Sequence, residues 1–240
     1  MRGVVLMVLL ALMLGACSIE VVPSGQAASP TTELTRLDPA AQQSADTTVD
    51  ATPGATSSDT RSGDEQTAVR IVNTFWQRWF AEQHRRYVPP RVRGGYTGTH
   101  GPRCGGEPSV PGNAYYCPSG NFLAWDENLM RAGYTQIGDA WVYMVIAHEW
   151  GHAIQGQLPD GLVSQAVELQ ADCLAGAALQ GAAQEGLVRI EPGDDEEIQQ
   201  TLEAVADDYP WTNQSSHGDA QQRISAFRTG VTGGVDGCVA

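Results

Sequence analysis

Large apolar residues in the first sixty positions are confined to one short run, residues 4–14, and then almost disappear. From 18 to about 63 the chain is mostly Ser, Thr, Ala, Asp, Gln and Pro, with few large apolar residues. Such a segment buries too little surface to offset the entropy of ordering, so it reads as a disordered tether. Periodicity starts beyond it. Between 64 and 87, Val69, Ile71, Val72, Phe75, Trp76, Trp79 and Phe80 recur at helical spacing and predict an amphipathic helix. Short runs at 92–96, 114–117 and 122–125, parted by Gly, Pro and Asn, predict strands. An apolar stretch opening Trp141-Val142-Tyr143-Met144-Val145-Ile146-Ala147 and a segment over 164–173 predict two helices. Leu158-Pro159-Asp160-Gly161 is a strong turn signal between them. Further helices are expected near 194–207 and 220–228. The order predicts an α+β fold, a small β-sheet beside a helical bundle, with no internal repeat.

The apolar stretch runs into His148-Glu149-Trp150-Gly151-His152. Residues four apart on a 3.6-residue helix lie one above the other, so both imidazoles share a face. Neutral imidazole suits zinc, and two ligands from one rigid turn fix half of a tetrahedral site. Glu149, next round the helix, is placed to take a proton from a water held by the metal without binding the metal itself. A core helix carrying two chance histidines is the bland alternative, but three buried polar side chains would then need partners.

A zinc hydrolase needs a third protein ligand and keeps the fourth position open. Glu168 is the nearest good candidate, and a tight turn at 158–161 would bring its helix back to face the histidines. Asp160, inside the turn, is the rival third ligand. Asp172 lies one turn beyond Glu168 and is placed to accept the outer N–H of a metal-bound histidine. His148-Glu149-Trp150-Gly151-His152, followed by Glu168-Leu169-Gln170-Ala171-Asp172-Cys173, resembles the bacterial neutral zinc metallopeptidase family. Tyr116-Cys117-Pro118-Ser119 and His217-Gly218-Asp219-Ala220-Gln221-Gln222-Arg223 add to the likeness, which runs from about Val69 to Cys238. The resemblance implies a zincin-like fold with one zinc ion on His148, His152 and Glu168, and Glu149 as catalytic base. Ala153 stands where a third histidine is common in that family.

The N-terminus changes the setting. Arg2, the apolar run and Leu14-Gly15-Ala16-Cys17 have the form of a signal peptide, too short for a stable transmembrane helix. A cysteine directly after Leu-Gly-Ala is the pattern of a lipoprotein box, so Cys17 is expected to be lipidated and to anchor the chain at a membrane surface. The organisation expected is a signal peptide over 1–17, a tether over 18–63 and a zinc metallopeptidase domain over 64–240, exported and outer-facing at the bacterial cell membrane. Four further cysteines in an exported domain allow two disulfides. Cys104 and Cys117 flank a Gly/Pro-rich loop, which predicts a local pair and leaves Cys173 for Cys238. No CxxC spacing points to a second, cysteine-ligated metal.

The formal net charge of -14 disfavours nucleic acid as a partner. Asp194-Asp195-Glu196-Glu197 reads as the first turn of a helix, where negative charge suits the dipole. His217, in a polar loop before the last helix, is a candidate donor to the oxyanion that forms on a substrate carbonyl. His84 and His100 carry no motif. A strand at 114–117 or 122–125, at the sheet edge beside the cleft, could pair with an extended peptide. The expected function is hydrolysis of peptide bonds in peptide or protein substrates. Two rivals share the metal: a zincin-fold surface lipoprotein that binds rather than cleaves, and an amidase of cell-wall peptides.

Overall fold

The computed structural model describes residues 60–213 and 216–239, and the signal peptide, Cys17 and the tether up to residue 59 lie outside them. Among the described residues the fold is α+β, with six α-helices and one three-stranded sheet. Helix α1 (Arg61–Glu82) starts inside the stretch assigned to the tether, because Thr60 caps it by accepting from the Gly63 N–H at 3.2 Å. Ala68, Ile71, Val72, Trp76 and Phe80 form its buried face. It ends five residues before the expected position. His84 takes a left-handed conformation (φ 54°), while its N–H and that of Arg85 bond back to the carbonyls of Ala81 and Phe80. That pairing closes the helix as a Schellman motif, a role in which glycine is usual.

Strands β1 (Arg91–Tyr96), β2 (Ala114–Cys117) and β3 (Phe122–Asp126) follow in the order β1-β3-β2, with β1 parallel and β2 antiparallel to β3. All five β3 residues are buried because both faces are covered. Leu123 and Trp125 join the main core, whereas Phe122 and Ala124 pack with Tyr96, Tyr115 and Cys117 in a smaller cluster. The loop linking β1 to β2 is fastened to this sheet by a Cys104–Cys117 disulfide.

Helix α2 (Glu127–Gln136) was not expected from the sequence; Asp126 ends β3 and caps α2 at once, accepting from Asn128 at 2.7 Å. Helix α3 (Ala140–Gln155) is buried along nearly its whole length. Its first N–H groups have no local cap, and Glu197 supplies one from another helix by accepting from Ala140 at 3.1 Å. After a 3-10 turn (Asp160–Leu162) comes α4 (Val167–Gln184), then α5 (Asp194–Ala204) and α6 (Ala220–Cys238). α5 stops three residues short of expectation, and α6 runs ten residues past it. α4 and α6 cross closely: a side chain at Gly176 would meet the Phe227 carbonyl, and one at Gly230 the Cys173 carbonyl. A second disulfide, Cys173–Cys238, ties the end of α6 to α4. Among the described residues no helix is long and apolar enough to cross a membrane.

Candidate metal centre

Three side chains from α3 and α4 converge. The Nε2 atoms of His148 and His152 stand 3.2 and 3.4 Å from the same Glu168 oxygen, Oε2. Ligand atoms about 2.0–2.1 Å from a common tetrahedral zinc are about 3.3 Å apart, so this donor set fits that ion. The approach of the two helices is what allows it. Gly151, between the histidines, lies where a Cβ would come within 2.9 Å of the Ala171 carbonyl oxygen on α4. Glu168 sits in the first turn of α4 and is 7% exposed, where the helix dipole favours a carboxylate. Burial acts to raise its pKa, but the imidazoles of His152 and His148 outweigh that and hold it well below the usual carboxylate range.

The outer nitrogens of both rings are engaged. His148 Nδ1 lies 2.8 Å from Asp172 Oδ1, at the position expected for Asp172. The sequence reading gave no role to the residue behind it, Arg223 of α6. Its Nε and one terminal nitrogen each donate to Asp172 at 2.8 Å, and its other terminal nitrogen donates to the Val205 carbonyl at 2.6 Å. Burial would raise the Asp172 carboxyl; Arg223 and His148 bring it below its ordinary value. His152 Nδ1 is held differently, 2.9 Å from Gln155 Oε1. The helical spacing of Gln155 to His152 was a signal available in the sequence, whereas Arg223 is 51 residues from Asp172 and only the α4–α6 crossing brings it in.

Glu149 is 3% exposed, and the Tyr116 backbone of β2 lies near enough to act on its carboxyl. Burial pushes its pKa up, against the pull of His148 and His152, and Glu168 adds to the rise. A carboxyl raised in this way is a stronger proton acceptor than a free one. β2 is an edge of the sheet and packs against α3, so this edge borders the site. His217 lines a small cavity of about 20 Å³ together with His148, Glu149 and Arg223, room for about one water. Its backbone N–H donates to Asp207 Oδ2 at 2.8 Å, and its Nδ1 lies 3.3 Å from Asp207 Oδ1. Asp207 is thus a second residue the sequence reading passed over.

Other candidates lie elsewhere. Asp160 is exposed in the 3-10 turn and does not join the group of His148, His152 and Glu168 that could hold a metal. His84 closes α1, and His100 turns its Nδ1 to the Thr97 carbonyl at 3.2 Å. Asp139, Asp194 and Glu197 also cluster, but they sit at the N-termini of α3 and α5, and Glu197 caps α3. A cavity of about 480 Å³ at that end of α3 is lined by none of the converging residues.

A sequence profile described as "Putative neutral zinc metallopeptidase" matches residues 2–165 and 160–239. The chain is 29% identical over 197 residues to "Uncharacterized protein YpfJ" of Escherichia coli K12, covering 70% of this chain and 67% of that one. It is 31% identical over 183 residues to "Uncharacterized protein Mb2605" of Mycobacterium bovis, covering 62% of this chain and 60% of the relative. "Uncharacterized protein Rv2575" of Mycobacterium tuberculosis matches to the same extent. No solved structure gives a significant match. With the profile matching nearly the whole chain, this protein is a member of the neutral zinc metallopeptidase family.

Proposed function

We propose that this protein cleaves peptide bonds in peptides or proteins, with one zinc ion on His148, His152 and Glu168 and with Glu149 as general base. The observation that carries the reading is the pair of 3.2 and 3.4 Å separations at Glu168, the spacing of a tetrahedral donor set, with a buried carboxyl one residue along the same helix. Zinc there would supply a water acidified to a pKa of about 7 and a Lewis acid for the scissile carbonyl. Glu149 takes the proton on its carboxylate and returns it to the leaving amine. His217, oriented by Asp207, donates towards the oxyanion. The edge of β2 offers main-chain groups to an extended peptide, which predicts that backbone-methylated peptides are poor substrates.

The cell-envelope setting rests on the N-terminal pattern ending at Cys17 and on two disulfides, which persist outside the reducing cytosol. A Cys17→Ser variant should then leave the membrane fraction; retention there would remove the lipid anchor from the proposal.

The direct test measures zinc by elemental analysis and turnover on casein and on cell-wall peptides. Glu149→Gln should keep its zinc and lose about 10²–10⁴ in rate. Bound zinc with no turnover on either substrate favours the binding-module reading, cleavage of cell-wall peptides alone the amidase reading. A protein that takes up no zinc overturns the whole assignment.

A further inference from the structure

We infer that Gln155 and Gln170 are positioning residues for the zinc ligand His152, and that the Cys173–Cys238 disulfide holds their relay in place. The inference rests on the zinc reading above and goes on to say what fixes one of its ligands.

The two histidines are supported by different chemistry. His148 leans on the charged pair Asp172–Arg223, while His152 leans on the neutral Gln155. A carboxamide can present either its oxygen or its nitrogen, so something must decide which end of Gln155 meets His152. Gln170, 4% exposed, decides it together with the Val167 carbonyl. Its Oε1 accepts the Ser164 backbone N–H at 3.0 Å, and its Nε2 donates to the carbonyls of Leu162 at 2.7 Å and Cys238 at 3.0 Å. Those three backbone groups have fixed polarity, and reversing the carboxamide would set donor against donor and acceptor against acceptor. Gln170 Oε1 therefore faces Gln155, whose Nε2 lies 3.2 Å from it and 2.6 Å from the Val167 carbonyl. Gln155 can then turn only its oxygen to His152. The proton sits on Nδ1, and the lone pair of Nε2 is left pointing at the metal position. The tautomer of a ligand is thus set by backbone polarity relayed through two glutamines.

One anchor of this relay is distant in sequence. Cys238 is 68 residues from Gln170, at the end of α6 beyond Gly234, where the helix is broken (φ 59°). Beyond that break the end of α6 is held by Val235, buried in the core, and by the Cys173–Cys238 bond to α4, next in sequence to Asp172. Reduction by a dithiol converts the bond to two thiols, with two electrons and two protons taken from the reagent, which closes to its own disulfide. The Cys238 carbonyl is then released, and Gln170 keeps only its Ser164 and Leu162 anchors, which loosens the relay.

The experiment measures zinc affinity by chelator competition and the visible spectrum of the cobalt(II)-substituted protein, both in a Cys104→Ser/Cys117→Ser background so that only one disulfide is reducible. Circular dichroism monitors the fold. Reduction should weaken zinc binding about 10- to 100-fold, the usual effect of losing an outer-shell partner, and alter the cobalt bands. Gln170→Leu should weaken binding similarly with the disulfide intact, and reduction should then add nothing. That loss of additivity is a result a merely structural bond would not give. Tight zinc binding that is indifferent to reduction and to Gln170→Leu overturns the relay alone, as does a reduction effect of equal size in both proteins. No zinc on the oxidised parent, checked with all four cysteines present, overturns the relay together with the reading it rests on.

Discussion

Replace Arg223 by methionine and the protein keeps a side chain of similar length but loses a charge that Asp172 depends on. Asp172 is 0% exposed and Arg223 3%, so water cannot take over the guanidinium's role. Two donor contacts of 2.8 Å to Asp172 vanish, and the Val205 carbonyl at the end of α5 loses a third of 2.6 Å. Removing one partner of a buried ion pair costs about 3–5 kcal/mol, because the other charge stays behind uncompensated. The reasoning has a second arm. Asp172→Asn removes that charge while its Oδ1 can still accept from His148, so Arg223→Met/Asp172→Asn should recover roughly 2–3 kcal/mol relative to Arg223→Met. Urea denaturation of the four proteins, with a chelator present to exclude stabilisation by bound metal, gives the cycle. Arg223→Lys should rescue poorly, since an ammonium cannot copy the planar two-point contact. A loss below about 1 kcal/mol for Arg223→Met, or a double variant as unstable as the sum of the singles, would refute the claim that Asp172 is held ionised by Arg223.

Other changes test the packing and the centre. Gly230→Ala places a methyl against the Cys173 carbonyl and should cost at least about 1–3 kcal/mol in a denaturation midpoint, whereas an unchanged midpoint would mean α4 and α6 can separate freely. His84→Gly should raise stability by about 0.5 kcal/mol and His84→Val lower it, because the left-handed residue closing α1 costs an ordinary side chain about 1–2 kcal/mol. Acid should act in two stages. His148 and His152 bind zinc only when neutral, so acid should displace the metal by protonating them. Glu168 and Asp172 have carboxyls held below their ordinary values. Their stabilising contribution is therefore full above about pH 4 and lost only as the pH drops through their lower folded values. Zinc release, read with a metal-sensitive dye, should precede loss of the helical circular dichroism signal; coincident transitions would contradict this order.

Where local pattern and tertiary environment agree, the chain could be read directly. The continuous apolar stretch of α3 becomes a helix buried on nearly all sides, and the three short β-branched and aromatic runs become the three strands. Failures fall where a neighbour decides. α2 begins at the residue that ends β3 and contains Gly133, a poor helix former whose missing side chain makes room for the Trp141 indole. The last ten residues of α6 carry four glycines and look like loop. They extend the helix because Gly230 lets the backbone meet α4 and a disulfide secures the end. The early end of α1 came from a histidine adopting a glycine-like conformation, for which the sequence offers no pattern.

The site divides along the same line. His148, Glu149 and His152 are fixed by spacing on one helix, and Glu168 and Asp172 by spacing on the next, so all five were legible. Their supports were not, because α6 delivers them across long gaps: Arg223 to the Asp172 behind His148, and the Cys238 carbonyl to the Gln170 behind His152. One helix thus braces both histidines from opposite ends of its length, although it supplies none of the converging donor atoms itself. Its own hold on the fold is the glycine crossing with α4, the buried Arg223 and the terminal disulfide. Any change that lets α6 slide along α4 must therefore disturb His148 and His152 together, whereas a change confined to Gln170 disturbs only His152. The geometry of the centre is in this sense a readout of how two helices are packed, which is why motif spacing alone points to the converging side chains but not to what keeps them in place.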